Sequence, residues 1–212
     1  MRVLGSGQLA FLLEFDRDED VLSTSAAIRA AAASADRAVA GPLSGVEELV
    51  PAQRTLLVRC RASASTGDVA MAVAALEVTD LEVTVGDDVT VDVIYDGDDL
   101  DDVAGLTGRS RDEVIATHTG TVWTVVFCGF APGFGYLRAP GDPLEVPRRP
   151  SPRTRVPTGS VALAGRYSGV YPTPSPGGWQ LIGRTEATLW DLSRTPPAML
   201  VPGTRVHFRD VG

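Results

Sequence analysis

The side chains able to do chemistry concentrate between Gly129 and Gly183. Those 55 residues hold 10 of the 15 prolines and 10 of the 22 glycines, and six arginines against only Asp142 and Glu145, in a chain whose formal net charge is -8. Three runs stand out: Gly129-Phe130-Ala131-Pro132-Gly133-Phe134-Gly135-Tyr136, then Pro147 to Pro157 carrying Arg148, Arg149, Arg153 and Arg155, then Ser175-Pro176-Gly177-Gly178-Trp179-Gln180. Proline fixes φ and removes a donor, while glycine permits positive φ and close backbone approach, so this density encodes shaped turns rather than repeating backbone. Turns of that kind beside guanidinium groups suit a small anionic ligand. The interleaved Val146, Val156, Val161, Leu163, Tyr171, Trp179, Leu181 and Ile182 argue against a disordered linker, which could not bury so much apolar surface.

In and around this window the expected roles differ by residue. Arg153 and Arg155, set between prolines, and Arg184 are candidates to grip carboxylate or phosphate, with the backbone of Pro157, Gly159, Ser160, Gly177 and Gly178 shaping the binding turns. Arg148 and Arg149 carry two readings, as ligand-facing cations or as groups solvated or paired with the acidic stretch from Glu77 to Asp102. Gln180 offers one acceptor and two donors. His118 is the only histidine beside these motifs, so it is the candidate for proton transfer near neutral pH; capping of the preceding helix is the competing role. Phe130, Phe134 and Tyr136 read as loop packing and Trp179 as barrel core. Ser160 lacks the GxSxG elbow of a serine nucleophile. Cys60 and Cys128 read as buried thiols, and with two histidines in the chain no metal site is expected.

Composition excludes several mechanisms. All 19 basic residues are arginine. Without lysine there is no Walker A loop, no Schiff base and no biotinyl-lysine within this chain. From Glu77 to Asp102 there are 11 acidic residues and no basic one, which opposes nucleic-acid binding. No apolar run reaches the roughly 18 residues of a membrane span, and Leu9-Ala10-Phe11-Leu12-Leu13 is too short and too acidically flanked for a signal peptide, so a cytoplasmic location is expected.

Two sets of elements must position these residues. The first reads as a strand over Leu9 to Phe15, a helix over Val21 to Val39 ended by Gly41-Pro42, strands over Val46 to Val50 and Thr55 to Cys60, a helix after the capping pattern Ser65-Thr66-Gly67-Asp68, and a strand over Leu81 to Val85. That order is the split βαβ pattern of a ferredoxin-like βαββαβ domain, placed at residues 1–86. Gly5-Ser6-Gly7-Gln8-Leu9-Ala10 matches a dinucleotide fingerprint formally, but no full strand precedes it and no helix follows. Residues 87–212 read as a second domain: a strand over Val89 to Tyr95, short helices over Asp98 to Leu106 and Ser110 to Thr117, a strand over Val122 to Cys128 apolar on both faces, and strands over Val161 to Ala164, Trp179 to Arg184, Ala187 to Asp191 and Thr204 to Phe208. Many short strands with Gly/Pro punctuation predict a closed or nearly closed barrel, and the fold class is α+β.

The succession His118, Gly129 to Leu137, Pro147-Arg148-Arg149, Pro152-Arg153, Val156-Pro157-Thr158-Gly159-Ser160-Val161, Tyr171-Pro172, Ser175 to Thr185 and Pro202-Gly203 resembles the B-subunit family of the 5-oxoprolinases, also called KipI or allophanate hydrolase subunit 1. The resemblance covers almost the whole chain. It departs at Gly165 to Gly169, where the family has a glutamine-containing turn, and at Gly5-Ser6-Gly7. It implies a cyclophilin-like barrel after the ferredoxin-like part. It further implies one component of an ATP-dependent 5-oxoprolinase that opens the lactam of 5-oxo-L-proline to L-glutamate. The other components would be a C-type subunit (a KipA homologue) and an A-type subunit, with ATP bringing magnesium as co-substrate. On that reading His118, Arg153 and Gln180 are the expected catalytic groups, Gln180 matching an amide's N–H and C=O, and the glycine turns with Arg155 and Arg184 hold substrate or nucleotide. Inhibition of a sensor histidine kinase and a urea or amide carboxyltransferase half are the alternatives it carries.

Overall fold

Residues 1–78 and 88–212 are described by the computed structural model. Contacts divide the chain into two compact units, Met1–Val85 and Gly86–Gly212.

In the first unit, alternating apolar residues form a four-stranded antiparallel sheet. Strand β1 (Arg2–Gly5) forms a hairpin with β2 (Ala10–Glu14). Gly7 at φ 74° and the Ser6 amide donating to the Ala10 carbonyl at 3.1 Å make the connection, so the glycine pair serves a turn between strands. Helix α1 (Glu19–Ala32) buries Val21, Ile28 and Ala31. It stops short of the expected Val39: the Asp36 carboxylate accepts from the Ala38 amide at 2.8 Å and starts a separate short α2 (Arg37–Ala40), as side chains that hydrogen-bond nearby backbone tend to do. A 3₁₀ turn over Gly41–Gly45 leads into β3 (Val46–Pro51) and β4 (Thr55–Cys60), and α3 (Thr66–Ala74) follows with Ser65 capping the Asp68 amide. The strand order is β1-β2-β4-β3, over a core that includes Phe11, Leu13, Ile28, Leu56, Val58, Val69 and Val73.

The order β2-β4-β3 with α1 and α3 is that of the first three strands of a split βαβ pattern, but the edge beside β2, where its last strand belongs, is held by β1. The expected strand over Leu81 to Val85 lies outside the described residues. The ferredoxin-like pattern is therefore not complete among those described.

The second unit contains β5 (Asp88–Val93), α4 (Leu100–Thr107), α5 (Arg111–Gly120), β6 (Val122–Cys128), β7 (Gly135–Arg138), β8 (Arg153–Val156), β9 (Ser160–Ala164), β10 (Tyr167–Val170), β11 (Ser175–Gly177), β12 (Gln180–Arg184) and β13 (Arg205–Asp210). Seven of these strands form one sheet in the order β12-β9-β10-β7-β6-β13-β5. Just past β5, Ile94 exchanges two 2.9 Å backbone hydrogen bonds with Arg184 of β12, so the sheet nearly closes into a barrel and its end strands are partly paired. Strand β8 pairs separately with β11.

One face of the barrel strands buries Val91, Val93, Trp123, Val125, Leu137, Leu163, Ile182 and Phe208. The other face of β9, β10 and β12, joined by Phe127 after a register shift in β6, carries an aromatic cluster. Four sequence expectations change here. Strand β6 is not buried on both faces: Trp123, Val125 and Phe127 are buried and the intervening residues are partly or well exposed. Cys128, at the end of that strand, is for the same reason only partly buried, whereas Cys60 is fully so. Ala187 to Asp191 contributes only an isolated bridge from Trp190 to Ala198. Strands β7, β8, β10 and β11 occupy stretches read as turns, because each has only three or four residues among glycines and prolines. No described helix is long and apolar enough to cross a membrane.

Candidate functional site: an aromatic cleft with one uncommitted arginine

The turn-rich window folds around an open cleft of about 260 Å³ whose walls include Phe130, Phe134, Tyr136, Tyr171 and Trp179, with Arg148 at its edge and Pro152, Pro176, Gly177 and Gly178 completing it. Phe134 meets Trp179 edge-to-face at 5.4 Å and Tyr171 at 5.3 Å, while Tyr136 lies 5.6 Å from Trp179. Such edge-to-face contacts fix ring orientation as well as burying area. Glycines make the packing possible. A Cβ on Gly169 would lie 3.1 Å from both the Phe134 and Trp179 rings, and one on Gly177 would fall 2.3 Å from the Tyr171 hydroxyl.

Arg148 is exposed and forms no ion pair among the described residues. Burial lifts the Tyr136 and Tyr171 phenols above their ordinary pKa, and the charge of Arg148, which lines the same cleft, partly offsets this at both.

Arg149 and Arg153 are committed elsewhere. Both pair with Asp99, whose side chain is only 2% exposed: Arg149 through Nη1, and Arg153 with Nη2 donating at 2.9 Å to Oδ1. The Leu181 amide donates to the other carboxylate oxygen at 2.7 Å. Burial pushes the Asp99 carboxyl up, but the Arg153 hydrogen bond, the Leu181 amide and the two guanidinium charges together outweigh it and hold the group below the usual range. Asp99 thus joins the start of α4 to β8 and β12.

The other expected site residues divide between places. Gly177 and Gly178 line the cleft. Gln180 is buried at the start of β12, its Nε2 donating to the Pro147 carbonyl at 3.1 Å and its Oε1 buried without a partner, so it supports the Pro147-Arg148 backbone and does not line the cleft. Ser160 is buried and donates from Oγ to the Pro157 carbonyl at 2.9 Å, closing the β8–β9 turn in which Gly159 takes φ 78°. Arg155 and Pro157 are exposed and outside the cleft wall. Arg184 donates to Asp96 at 2.9 Å and lines a different hollow with Thr158, Thr185 and Trp190.

His118 departs most from expectation. It lies in the last turn of α5 with no exposed surface, its Nδ1 2.7 Å from the Tyr95 hydroxyl, its Nε2 2.9 Å from Ser168 Oγ, and its ring stacked on Phe208 at 4.2 Å. Burial pushes its pKa down to about 3. A neutral imidazole with both nitrogens engaged inside a barrel core packs that core; it is not positioned to move protons for a ligand in the cleft.

Sequence reading missed Asp99 and the aromatic wall. Asp98-Asp99-Leu100-Asp101-Asp102 looks uniformly solvated, and only the fold turns Asp99 inward. The wall had a usable signal, since Phe130, Phe134, Tyr136 and Trp179 all adjoin glycines.

Known proteins resemble this chain in sequence and in architecture. A 5-oxoprolinase B subunit from Escherichia coli is 44% identical over 123 residues, covering 57% of this chain and 56% of that one. One from Haemophilus influenzae is 41% identical over 138 residues (64% and 63%), and one from Bacillus subtilis 43% identical over 123 residues (57% and 51%). The matched region thus spans little more than half the length of these relatives. A Saccharomyces cerevisiae urea amidolyase is 31% identical over 127 residues, covering 53% of this chain and 6% of that one. Among solved structures, TTHA0988 covers 96% of this chain and 40% of its own at 32% identity and TM-score 0.75, and a conserved uncharacterized protein from Pyrococcus horikoshii covers 99% and 97% at 31% identity and TM-score 0.56. The Kluyveromyces lactis urea amidolyase, 16% identical at TM-score 0.68, shares the fold. With residues 1–200 matched by the model of the family described as "Carboxyltransferase domain, subdomain C and D", the chain belongs to that family, as its motif order and its likeness to 5-oxoprolinase B subunits indicate.

Proposed function

We propose that this chain is the B-type component of an ATP-dependent 5-oxoprolinase and that its aromatic cleft holds 5-oxo-L-proline. The observation that carries the reading is Arg148: a guanidinium without an ion pair among the described residues, at the edge of a cleft walled by rings. A five-membered lactam with a single carboxylate suits that chemistry. The carboxylate meets the arginine fork, and the ring lies against aromatic faces that exclude water.

The cleft does not fit a nucleotide. A triphosphate needs several uncommitted cations or a cradle of amides, whereas Arg149 and Arg153 are already spent on Asp99 and Arg184 on Asp96. ATP with its magnesium is therefore assigned to the companion subunits, a C-type and an A-type chain, and this chain binds and orients the lactam. Names borne by relatives, 5-oxoprolinase B subunit in three and urea amidolyase in one, support the amide-opening class. The yeast likeness also favours a second reading, a half of a urea or amide carboxyltransferase, and urea serves as the competing substrate in the assay.

The test is reconstitution with the companion chains and measurement of glutamate formed from 5-oxo-L-proline and ATP. Arg148→Ala is expected to raise KM for 5-oxoproline by roughly 10- to 100-fold with kcat changed far less, the pattern of a lost binding contact. An unchanged KM overturns the placement, and turnover of urea instead of 5-oxoproline favours the second reading.

A further inference from the structure

Phe130 sits where a phenylalanine should not. Its φ is 68°, in the left-handed region that glycine adopts freely and bulky side chains avoid. It has glycine for its preceding neighbour and another three residues on, at Gly129 and Gly133. Packing does not explain it, because 59% of the residue is exposed, against 1% for Phe134 four positions later. The local backbone holds it there: the Ala131 amide donates to the Gly129 carbonyl at 2.8 Å, the Phe134 amide to the Ala131 carbonyl at 3.0 Å, and the Gly129 amide to the Phe134 carbonyl at 3.2 Å. The consequence is an aromatic ring carried on a pinned turn at the cleft's mouth, edge-to-face to Phe134 at 5.4 Å and to Tyr171 at 6.2 Å.

We propose that Phe130 is a specificity-determining wall of this cleft, held in a strained conformation so that its ring covers one side of a small monoanionic ring compound whose carboxylate lies at Arg148. Strained backbone persists where the surroundings over-determine it, and the three backbone hydrogen bonds do so here. A residue selected for fold stability at this φ would be glycine or asparagine. The ring meets the core only edge-on, at Phe134 and Tyr171, and leaves more than half of the residue exposed, so the face it presents is available to whatever enters the cleft. One charge at Arg148 and rings on the facing walls together select a flat or cyclic monocarboxylate over an acyclic one of equal charge, because an open chain loses rotatable-bond freedom without gaining ring contact.

The inference rests on the cleft being the 5-oxoproline site, and the experiment separates the two. Phe130→Gly, Phe130→Ala and Phe130→Tyr are made in the chain assembled with its companion subunits, beside Arg148→Ala, and each is measured for melting temperature and for kcat and KM with 5-oxo-L-proline. Phe130→Gly is expected to melt above Phe130→Ala while KM rises about tenfold or more and kcat stays within about twofold, and Phe130→Tyr keeps the wild-type KM. If Arg148→Ala raises KM while Phe130→Gly leaves it unchanged, the proposal falls and the cleft reading stands. If neither substitution changes KM, both fall. Phe130→Ala loses the same ring contacts but keeps a Cβ at this φ, so Phe130→Gly melting no higher than Phe130→Ala overturns the strain account.

Discussion

The clearest physics at the level of single residues belongs to His118. Its ordinary pKa near 6.5 applies to the unfolded chain, whereas burial lowers the folded value to about 3. As pH falls below about 6.5, unfolded molecules take up a proton that folded ones refuse, so the native state loses roughly 1.4 kcal/mol per pH unit until the folded group protonates near 3. Above about 6.5 the group contributes no slope. His118→Gln cannot titrate, so the stability difference between wild type and His118→Gln, from urea unfolding at successive pH values, is expected to be flat above pH 7 and to shrink steadily from about pH 6 to pH 4. A difference independent of pH would mean that the ring reaches solvent, and would restore it as a candidate for proton transfer. His118 also shows why residue type misleads. Its position in sequence beside the glycine-arginine motifs suggested chemistry, but alternation along β10 that turns Gly169 toward Phe134 and Trp179 turns Ser168 to the opposite side, where it meets the His118 ring carried by α5.

At the level of elements, periodic segments were legible and aperiodic ones were not. The capping pattern at Ser65, the alternation that makes β6 a strand and the N-terminal helix as far as Ala32 are encoded locally and the structure keeps them, although that helix ends there instead of reaching Val39. Strands β8 and β11, at four and three residues, contain no repeat long enough to read; their pairing is a tertiary contact, and the turn from β8 into β9 is one of the features that set where β8 lies. Gly159 is the hinge of that turn. It takes φ 78°, its amide donates to the Tyr171 carbonyl at 2.8 Å, and a Cβ placed there would lie 2.1 Å from the Thr185 carbonyl oxygen. Gly159→Ala therefore combines left-handed strain with a backbone clash that no side-chain rotation relieves, and a loss of roughly 2–3 kcal/mol is expected in chemical unfolding. Ser160→Ala at the next position removes one hydrogen bond to the Pro157 carbonyl and should cost about 1 kcal/mol. If the two variants were equally stable, the turn would not hold β8 in place as described.

For the whole molecule, the decisive fact is which chemistry its cleft contains. The lining offers aromatic rings, two of them with phenol hydroxyls, prolines, glycine backbone and one guanidinium, and neither carboxylate nor imidazole is among the lining residues. Asp99, the carboxylate nearest the arginine run, is held ionised by two arginines and an amide and is spent on positioning them. Opening a lactam requires more than binding. The amide must be activated, water must be directed at its carbonyl carbon, and the ring nitrogen must receive a proton as the bond breaks. The cleft wall carries protonated phenols at Tyr136 and Tyr171 but no carboxylate or imidazole to direct water, so on the proposed reading its contribution is recognition and the general base and ATP-dependent activation belong to companion chains. The isolated chain is accordingly expected to bind 5-oxo-L-proline without hydrolysing it: calorimetric titration should give an equilibrium dissociation constant that Arg148→Ala weakens, while glutamate release stays at the uncatalysed level with or without ATP. Adding the C-type and A-type companions should then produce ATP-dependent turnover whose KM carries the same Arg148 dependence. Glutamate release by the isolated chain would overturn this division of labour, because it would require an activating base that the cleft wall does not supply.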